Sequence, residues 1–406
     1  PTTAPAEPTQ APAPTTAPAE PTQAPAPTTA PEPTQAPAQP AAGGGAGEVV
    51  LWHGWTGAEA DKLAEVIKAF QTANPGVTIS PLAVPFDQLK NKFTTEASTG
   101  GGPDLLIGPK DWIGELAQAG LIQPLDDMAD AAGLTALNKS AVDAVKFEGK
   151  TWAFPESTEA VALWYNKKLV DKPATTIDDL IAQAAKVGLA YNAGFYHSTG
   201  LLFAEGGQVF VDGQKCGFTT GNSVVDALTY IKNAKGTPNV IADKDGGKLD
   251  AAFKDGKVGY IFNGPWATGD YVKALGAENL GIADPITVGT GKFAPFLGTK
   301  NIFLSANAQN LEGAQAFLKF MSTPETQKMM TEVGHIPSNP NVQTDDPFIA
   351  GFLKQTTSAS YFPNEPEMGA VWTPGDDMIT KVIEGKLEPQ AAAEEACKLI
   401  DAANKK

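Results

Sequence analysis

Between Glu48 and Ile107 the chain alternates strand, helix, strand, helix, strand, and this alternation limits the fold more than any other feature of the sequence. Val49-Val-Leu-Trp52 has the β-branched and aromatic content of a strand. Leu63, Val66, Ile67 and Phe70 recur at the spacing of a helix with one buried face, which Asn74-Pro-Gly76 ends. Val77 to Val84 returns as strand, Gln88 to Ala97 as helix, and Asp104-Leu-Leu-Ile107 as a third strand after the break at Gly100-Gly-Gly-Pro103. Such an order implies a parallel sheet with right-handed crossovers. Ligands of open α/β sheets bind at the carboxyl ends of the strands. Here those ends carry Trp55-Thr56 and Lys110-Asp-Trp112.

A second α/β region opens at Val161. It reads as strand Val161 to Tyr165, helix Thr176 to Lys186, strand Leu189 to Asn192, helix Asn222 to Lys235, a short helix around Leu249 to Phe253 and strand Val258 to Phe262. Asn301 to Leu304 is a further strand and Leu311 to Met321 a helix. Thr323-Pro-Glu325 starts another helix with an N-cap threonine and a first-turn proline, and 374–383 and 389–404 are helical.

The first 47 residues are of another kind. Residues 1–13 repeat identically at 14–26 and, one residue shorter, at 27–38. Proline at this density removes backbone donors, and there is almost no apolar bulk to bury, so 1–47 is expected to be a disordered Pro/Ala/Thr-rich linker. About 360 residues remain, more than the roughly 250 to 300 at which a single core stops growing, so two domains are expected.

Composition excludes several functions. The net charge is −16, and every basic residue is a lysine, which argues against nucleic acid as a partner. No run of about 18 apolar residues exists to span a membrane. Gly100-Gly-Gly102 and Gly289-Thr-Gly-Lys292 lack the closing Lys-Ser/Thr of a phosphate loop, and no Gly-x-Ser-x-Gly elbow occurs. His53, His197 and His335 are scattered singly, and Asp243-Lys-Asp-Gly246 lacks the third oxygen-bearing position of a calcium loop, so no metal, cofactor or catalytic residue is expected. His53 reads equally as a residue near a pocket or in a plain turn.

The aromatics carry the positive evidence. Trp55, Trp112, Tyr196, Trp266 and Trp372 fall in loops or at element ends, whereas Trp52, Trp152 and Trp164 lie within strand-like runs and are assigned to cores. Flat rings pack on the apolar faces of sugars, and carboxylates accept their hydroxyl protons. Glu156 and Glu159, three apart, fit the second role more simply than glycoside hydrolysis, which needs two carboxyls set across a sugar.

Three stretches, Glu159 with Ala160-Val-Ala-Leu-Trp-Tyr-Asn166, Asn263-Gly-Pro-Trp266, and Phe362-Pro-Asn-Glu-Pro-Glu-Met-Gly-Ala-Val-Trp372, resemble in this order the maltose/maltodextrin-binding branch of the extracytoplasmic solute-binding proteins that feed ABC importers. The resemblance runs from about Glu48 to the C-terminus. It implies an α/β, two-lobed periplasmic-binding-protein fold, each lobe a sheet flanked by helices and discontinuous in sequence. The N-terminal lobe would comprise 48–157 plus 298–345 and the C-terminal lobe 158–297 plus 346–406, with three hinge crossings near 156–160, 297–300 and 342–348. Sugar would bind between the lobes.

The resemblance also places ligand-binding residues. An acidic residue after the first strand matches Thr56, which has lost the charge, and another after the third matches Asp111. Glu159 matches the glutamate before the Ala-x-x-x-x-Tyr-Asn strand, Tyr196 matches, across a one-residue gap, the tyrosine upstream of Glu205-Gly-Gly207, Trp266 and Trp372 match their motifs directly, and Trp55 joins them from the aromatic inventory. A tryptophan common in the family is missing at Gly108, and Thr268 replaces another. The implied partners are a disaccharide or oligosaccharide and a membrane ABC permease, for a monomer on the outer face of the membrane or in the periplasm, touching the membrane only through a lipid anchor upstream of Pro1. Cys216 and Cys397 fall in the same lobe and are expected to pair. A secreted glycan-cleaving enzyme and a wall-attached carbohydrate adhesin are the rival readings.

Overall fold

The computed structural model describes residues 47–406, which lie within one compact unit; the linker expectation for 1–47 lies outside the described residues except for Gly47. Two sheets organise it. The first has seven strands, in the order Ile336–Pro337, Phe154–Glu159, Phe296–Leu304, Leu105–Pro109, Glu48–His53, Thr78–Ala83, with Ser360–Tyr361 added beside Phe296–Leu304. The second has five, ordered Val240–Asp243, Leu189–Asn192, Tyr260–Asn263, Ala162–Asn166, Leu280–Ile282.

The three strands expected to be parallel are so, within a sheet that as a whole is mixed. Glu48–His53 does pair in parallel with both Thr78–Ala83 and Leu105–Pro109. Beside them, however, Phe296–Leu304 runs antiparallel to Leu105–Pro109, and Phe154–Glu159 antiparallel to Phe296–Leu304. The reason is connectivity: a strand returning from the second region enters the first sheet from the opposite end. Phe296–Leu304 is longer than the expected strand Asn301 to Leu304, and Phe154–Glu159 was not expected as a strand.

Each sheet has its own apolar filling. Val49, Leu51, Phe70, Ile107 and Phe317 pack on one face of the first sheet, and Trp52, Phe93, Leu106, Trp112 and Phe303 on the other. Alternation along Phe303 and Leu304 sends neighbouring side chains into opposite clusters, as the strand period requires. Around the second sheet, Leu163, Tyr191, Tyr260 and Phe262 face one cluster, while Trp164, Ala190 and Ile261 face another with Phe348 and Phe352. The strand Phe296–Leu304 joins the two regions: Phe296 lies in a second-sheet cluster and Ile302 and Leu304 in a first-sheet cluster. Phe154 and Val161 bracket the neighbouring crossing in the same way.

Local sequence sets the ends of the helices. Thr323 caps Pro324–Thr331 by accepting from Thr326 N, and Asp346 caps Pro347–Gln355, a helix the sequence reading missed. Phe195–Leu202 was missed as well, and it carries Tyr196 and His197 in its first turn. Cys216 is disulfide-bonded to Cys397, tying the short strand Lys215–Cys216 to the helix Pro389–Asn404.

Candidate functional site

The strand ends and helix starts of both sheets converge where the two strands cross. Gly264 ends the strand Tyr260–Asn263, and the chain folds so tightly there that a Cβ at 264 would lie 2.1 Å from the Trp266 ring. Glycine at this corner therefore lets the indole turn back over the backbone. Tyr196 meets Trp266 with ring centroids 6.1 Å apart and Trp372 at 6.4 Å, so one tyrosine stands between the two motif tryptophans. Its hydroxyl is buried beside the Glu159 carboxylate, and burial together with that carboxylate holds its pKa well above the usual tyrosine value.

The carboxylates stand in low-dielectric surroundings. Burial pushes the Asp111 carboxyl up to about 6, although Lys90, Lys110 and the nearby Trp372 indole work the other way. Burial raises Glu159 as well, with the charges of Glu59 and Asp111 adding to it and Lys300 opposing. His197, at right angles to Trp266 with centroids 6.1 Å apart, is driven down to about 4 by burial and is a neutral imidazole at pH 7.

The opposite wall is built from ions. His335 sits between two carboxylates, with Nδ1 2.8 Å from Glu156 Oε2 and Nε2 2.8 Å from Glu59 Oε1. Lys300 is paired with the same Glu59 oxygen. Burial disfavours every charge here, yet the pairs prevail: Lys300 and His335 hold Glu59 below its ordinary value, Glu156 and Glu59 hold His335 above, and Glu59 with Glu159 hold Lys300 above. Trp55 leans on this cluster, edge to face with His335 at 5.0 Å.

Six of the seven expected residues are thus brought together: Trp55, Asp111, Glu159, Tyr196, Trp266 and Trp372. Three of the expectations are corrected. Trp55 is 8% exposed and belongs to the apolar filling of the first sheet, so it is not a free loop ring. Thr56 is exposed at the N-terminus of Gly57–Ala73, makes no capping bond, and takes part in none of the contacts that join the others. Trp112 is a core residue, 5% exposed and stacked on Phe86 at 5.8 Å. It also explains the missing tryptophan: a Cβ at Gly108 would lie 2.5 Å from the Trp112 ring, so the two rings compete for one place.

The sequence reading missed Glu59, Lys300, His335 and His197. Lys300 had a signal, a lone charge in the run Phe296 to Leu304. The histidines had none, because their partners are remote in sequence. His53 proves buried at the end of the first strand. Among the described residues no group of three or more His, Cys, Asp or Glu is placed to hold a metal, and no helix is long and apolar enough to cross a membrane.

Comparison with known proteins identifies the family. The model of the bacterial extracellular solute-binding proteins matches residues 65–354. A maltotriose-binding protein of Pyrococcus abyssi is 30% identical over 351 residues, 81% of this chain and 76% of that protein. A maltooligosaccharide ABC transporter solute-binding lipoprotein of Streptococcus pneumoniae is 28% identical over 337 residues, 76% of this chain and 78% of that one. Among solved structures, the Thermus thermophilus maltotriose-binding protein bound with maltotriose superposes with a TM-score of 0.80 at 32% identity, covering 87% of this chain and 99% of that one. The two-lobed α/β architecture and these relatives lead to one statement: the chain belongs to the bacterial extracellular solute-binding proteins.

Proposed function

We propose that the protein captures a maltose- or maltodextrin-type sugar between its two lobes and delivers it to an ABC permease. The observation that carries this reading is Tyr196, which stands between the rings of Trp266 and Trp372 with its buried hydroxyl beside Glu159. A sugar hydroxyl placed there meets both a donor and a carboxylate acceptor in a buried polar site, where unmet hydrogen bonds are costly. The rings supply apolar faces for pyranose C–H bonds, and Glu159 and Asp111 accept sugar protons.

The lobes are 48–157 with 298–345 and 158–297 with 346–406, and closure is a population shift driven by the sugar's preference for the closed form. Catalysis is not part of the reading. Glu156 is committed to His335, so it and Glu159 do not form a free acid and base pair. The body works outside the cytoplasmic membrane as a monomer, held by a lipid anchor like the one its pneumococcal relative's name records.

A thermal-shift and calorimetric panel of maltose, maltotriose, longer maltodextrins and trehalose tests this. At a hundredfold excess over Kd the cognate sugar stabilises by about 2.7 kcal/mol. A panel in which no α-glucan shifts the melting temperature overturns the reading, and release of glucose or maltose during incubation restores the enzyme alternative.

A further inference from the structure

Lys300 is held by Glu59 and by the charge of Glu159, but these partners leave part of its ammonium without a hydrogen bond. It sits on the crossing strand Phe296–Leu304, two residues beyond Gly298, which faces Glu159 across the sheet. Its ammonium lies 5.4 Å from the ring centroid of Trp55 and 5.9 Å from that of Trp266. One of these rings belongs to the filling of the first sheet and the other packs against that of the second. The charge therefore stands buried where the aromatic packing of the two sheets meets.

Its hydrogen bonds do not add up. A lysine ammonium has three donors and no acceptor. One donor goes to Glu59. His335 Nε2 lies 3.4 Å away, but that ring already faces a carboxylate with each nitrogen, as an imidazolium does, and an imidazolium has no lone pair to accept with. Glu159 is close enough for its charge to act on Lys300, yet no hydrogen bond joins them among the described residues. Two donors of a buried ammonium are thus unspent, at a site where an unmet charged donor is costly.

We propose that Lys300 is a ligand-contacting residue, donating to a glycosyl hydroxyl held between Trp55 and Trp266, and that Glu59 and His335 are positioning residues that aim it. The inference rests on the sugar-binding reading and adds to it the residue that selects hydroxyl orientation where the two sheets meet. A charged donor aimed at one hydroxyl rejects sugars that lack it, whereas ring stacking tolerates them.

The test is a cycle between protein and sugar. Maltotriose and its monodeoxy analogues are titrated by calorimetry into the parent protein, into K300Q, and into the charge-neutral pair E59Q/K300M, which leaves no unpaired carboxylate if K300Q folds poorly. Ligand-free melting temperatures accompany each titration. Loss of the donor is expected to weaken maltotriose binding about tenfold to a hundredfold. One deoxy position that costs the parent a similar factor should then cost the variants nothing. Variants that bind maltotriose within twofold of the parent overturn the assignment, as do deoxy penalties that persist unchanged in them. A parent that binds none of the sugars defeats the sugar-binding reading itself, and the assignment falls with it.

Discussion

The two walls of the proposed sugar cleft hold their tryptophans in different ways. On the first-sheet side Trp55 rests on ions: His335 between Glu156 and Glu59, with Lys300 beside them. On the second-sheet side Trp266 and Trp372 rest on rings, with Tyr196 between them and a neutral His197 against Trp266. An ionic support is directional and depends on every partner, because each charge is buried at a cost that only the others offset. An aromatic support is a sum of many weak contacts and loses them one at a time. Mutation should therefore affect folding on one side and binding on the other.

The largest effect is expected from breaking the ionic side. Glu59→Leu leaves Lys300 and His335 facing each other without their shared carboxylate, and removing one partner of a buried network costs about 3 to 5 kcal/mol. Chemical denaturation of the ligand-free variant measures it. A loss below about 1 kcal/mol would mean that the cluster is open to water and that the contrast between the walls is false.

Next come the rings. Trp266→Ala and Trp372→Ala each remove apolar contact worth roughly 2 to 3 kcal/mol to a stacked sugar, a fall in affinity of about 30-fold to 100-fold. Both side chains are only partly buried, so ligand-free stability should change little. Trp164, fully buried against Tyr271, Phe348 and Phe352, is the control: Trp164→Ala should lose about 3 to 5 kcal/mol of stability. Cleft variants that bind normally but melt early would place both tryptophans in the core and remove the distinction.

The same contrast explains what could be read from the chain. The aromatic wall was legible because its residues follow strand ends and glycine or proline corners, local signals such as Asn263-Gly-Pro-Trp266. The ionic wall was not. Glu59, Glu156 and Lys300 come from three separate elements and His335 from a loop, and nothing local distinguishes Glu59 from any first-turn glutamate. The helix Phe195–Leu202 escaped because its first turn, Phe-Tyr-His-Ser, has neither strong propensity nor a side-chain cap. The antiparallel strands of the first sheet escaped for a topological reason: alternation predicts neighbours along the chain, and Phe296–Leu304 pairs with strands nearly 140 to 200 residues away, at ranges where local pattern carries no information.

The smallest expected effect sharpens the comparison, because Asp111 is a charge on neither scaffold. Its carboxyl rises from 3.8 to about 6 on folding, chiefly through burial. A carboxyl whose folded pKa is raised favours the folded state fully below its unfolded value and loses that contribution as pH climbs through the folded one. The ligand-free protein should therefore lose roughly 1 to 2 kcal/mol between about pH 4 and pH 6, and Asp111→Asn should remove that slope. His335 acts in the same sense at higher pH: held above its ordinary 6.5 by Glu156 and Glu59, it withdraws stability as pH rises through its folded value. Sugar affinity should run the other way through the Asp111 range, since the ionised carboxylate is the better acceptor for a sugar hydroxyl. Between pH 4 and 6, binding then strengthens while the empty protein weakens, and Asp111→Asn flattens both curves at lower affinity. Melting curves and calorimetry across that range measure the two slopes. Affinity that falls with rising pH, or slopes unchanged in Asp111→Asn, would show that Asp111 faces neither the sugar nor a dry interior.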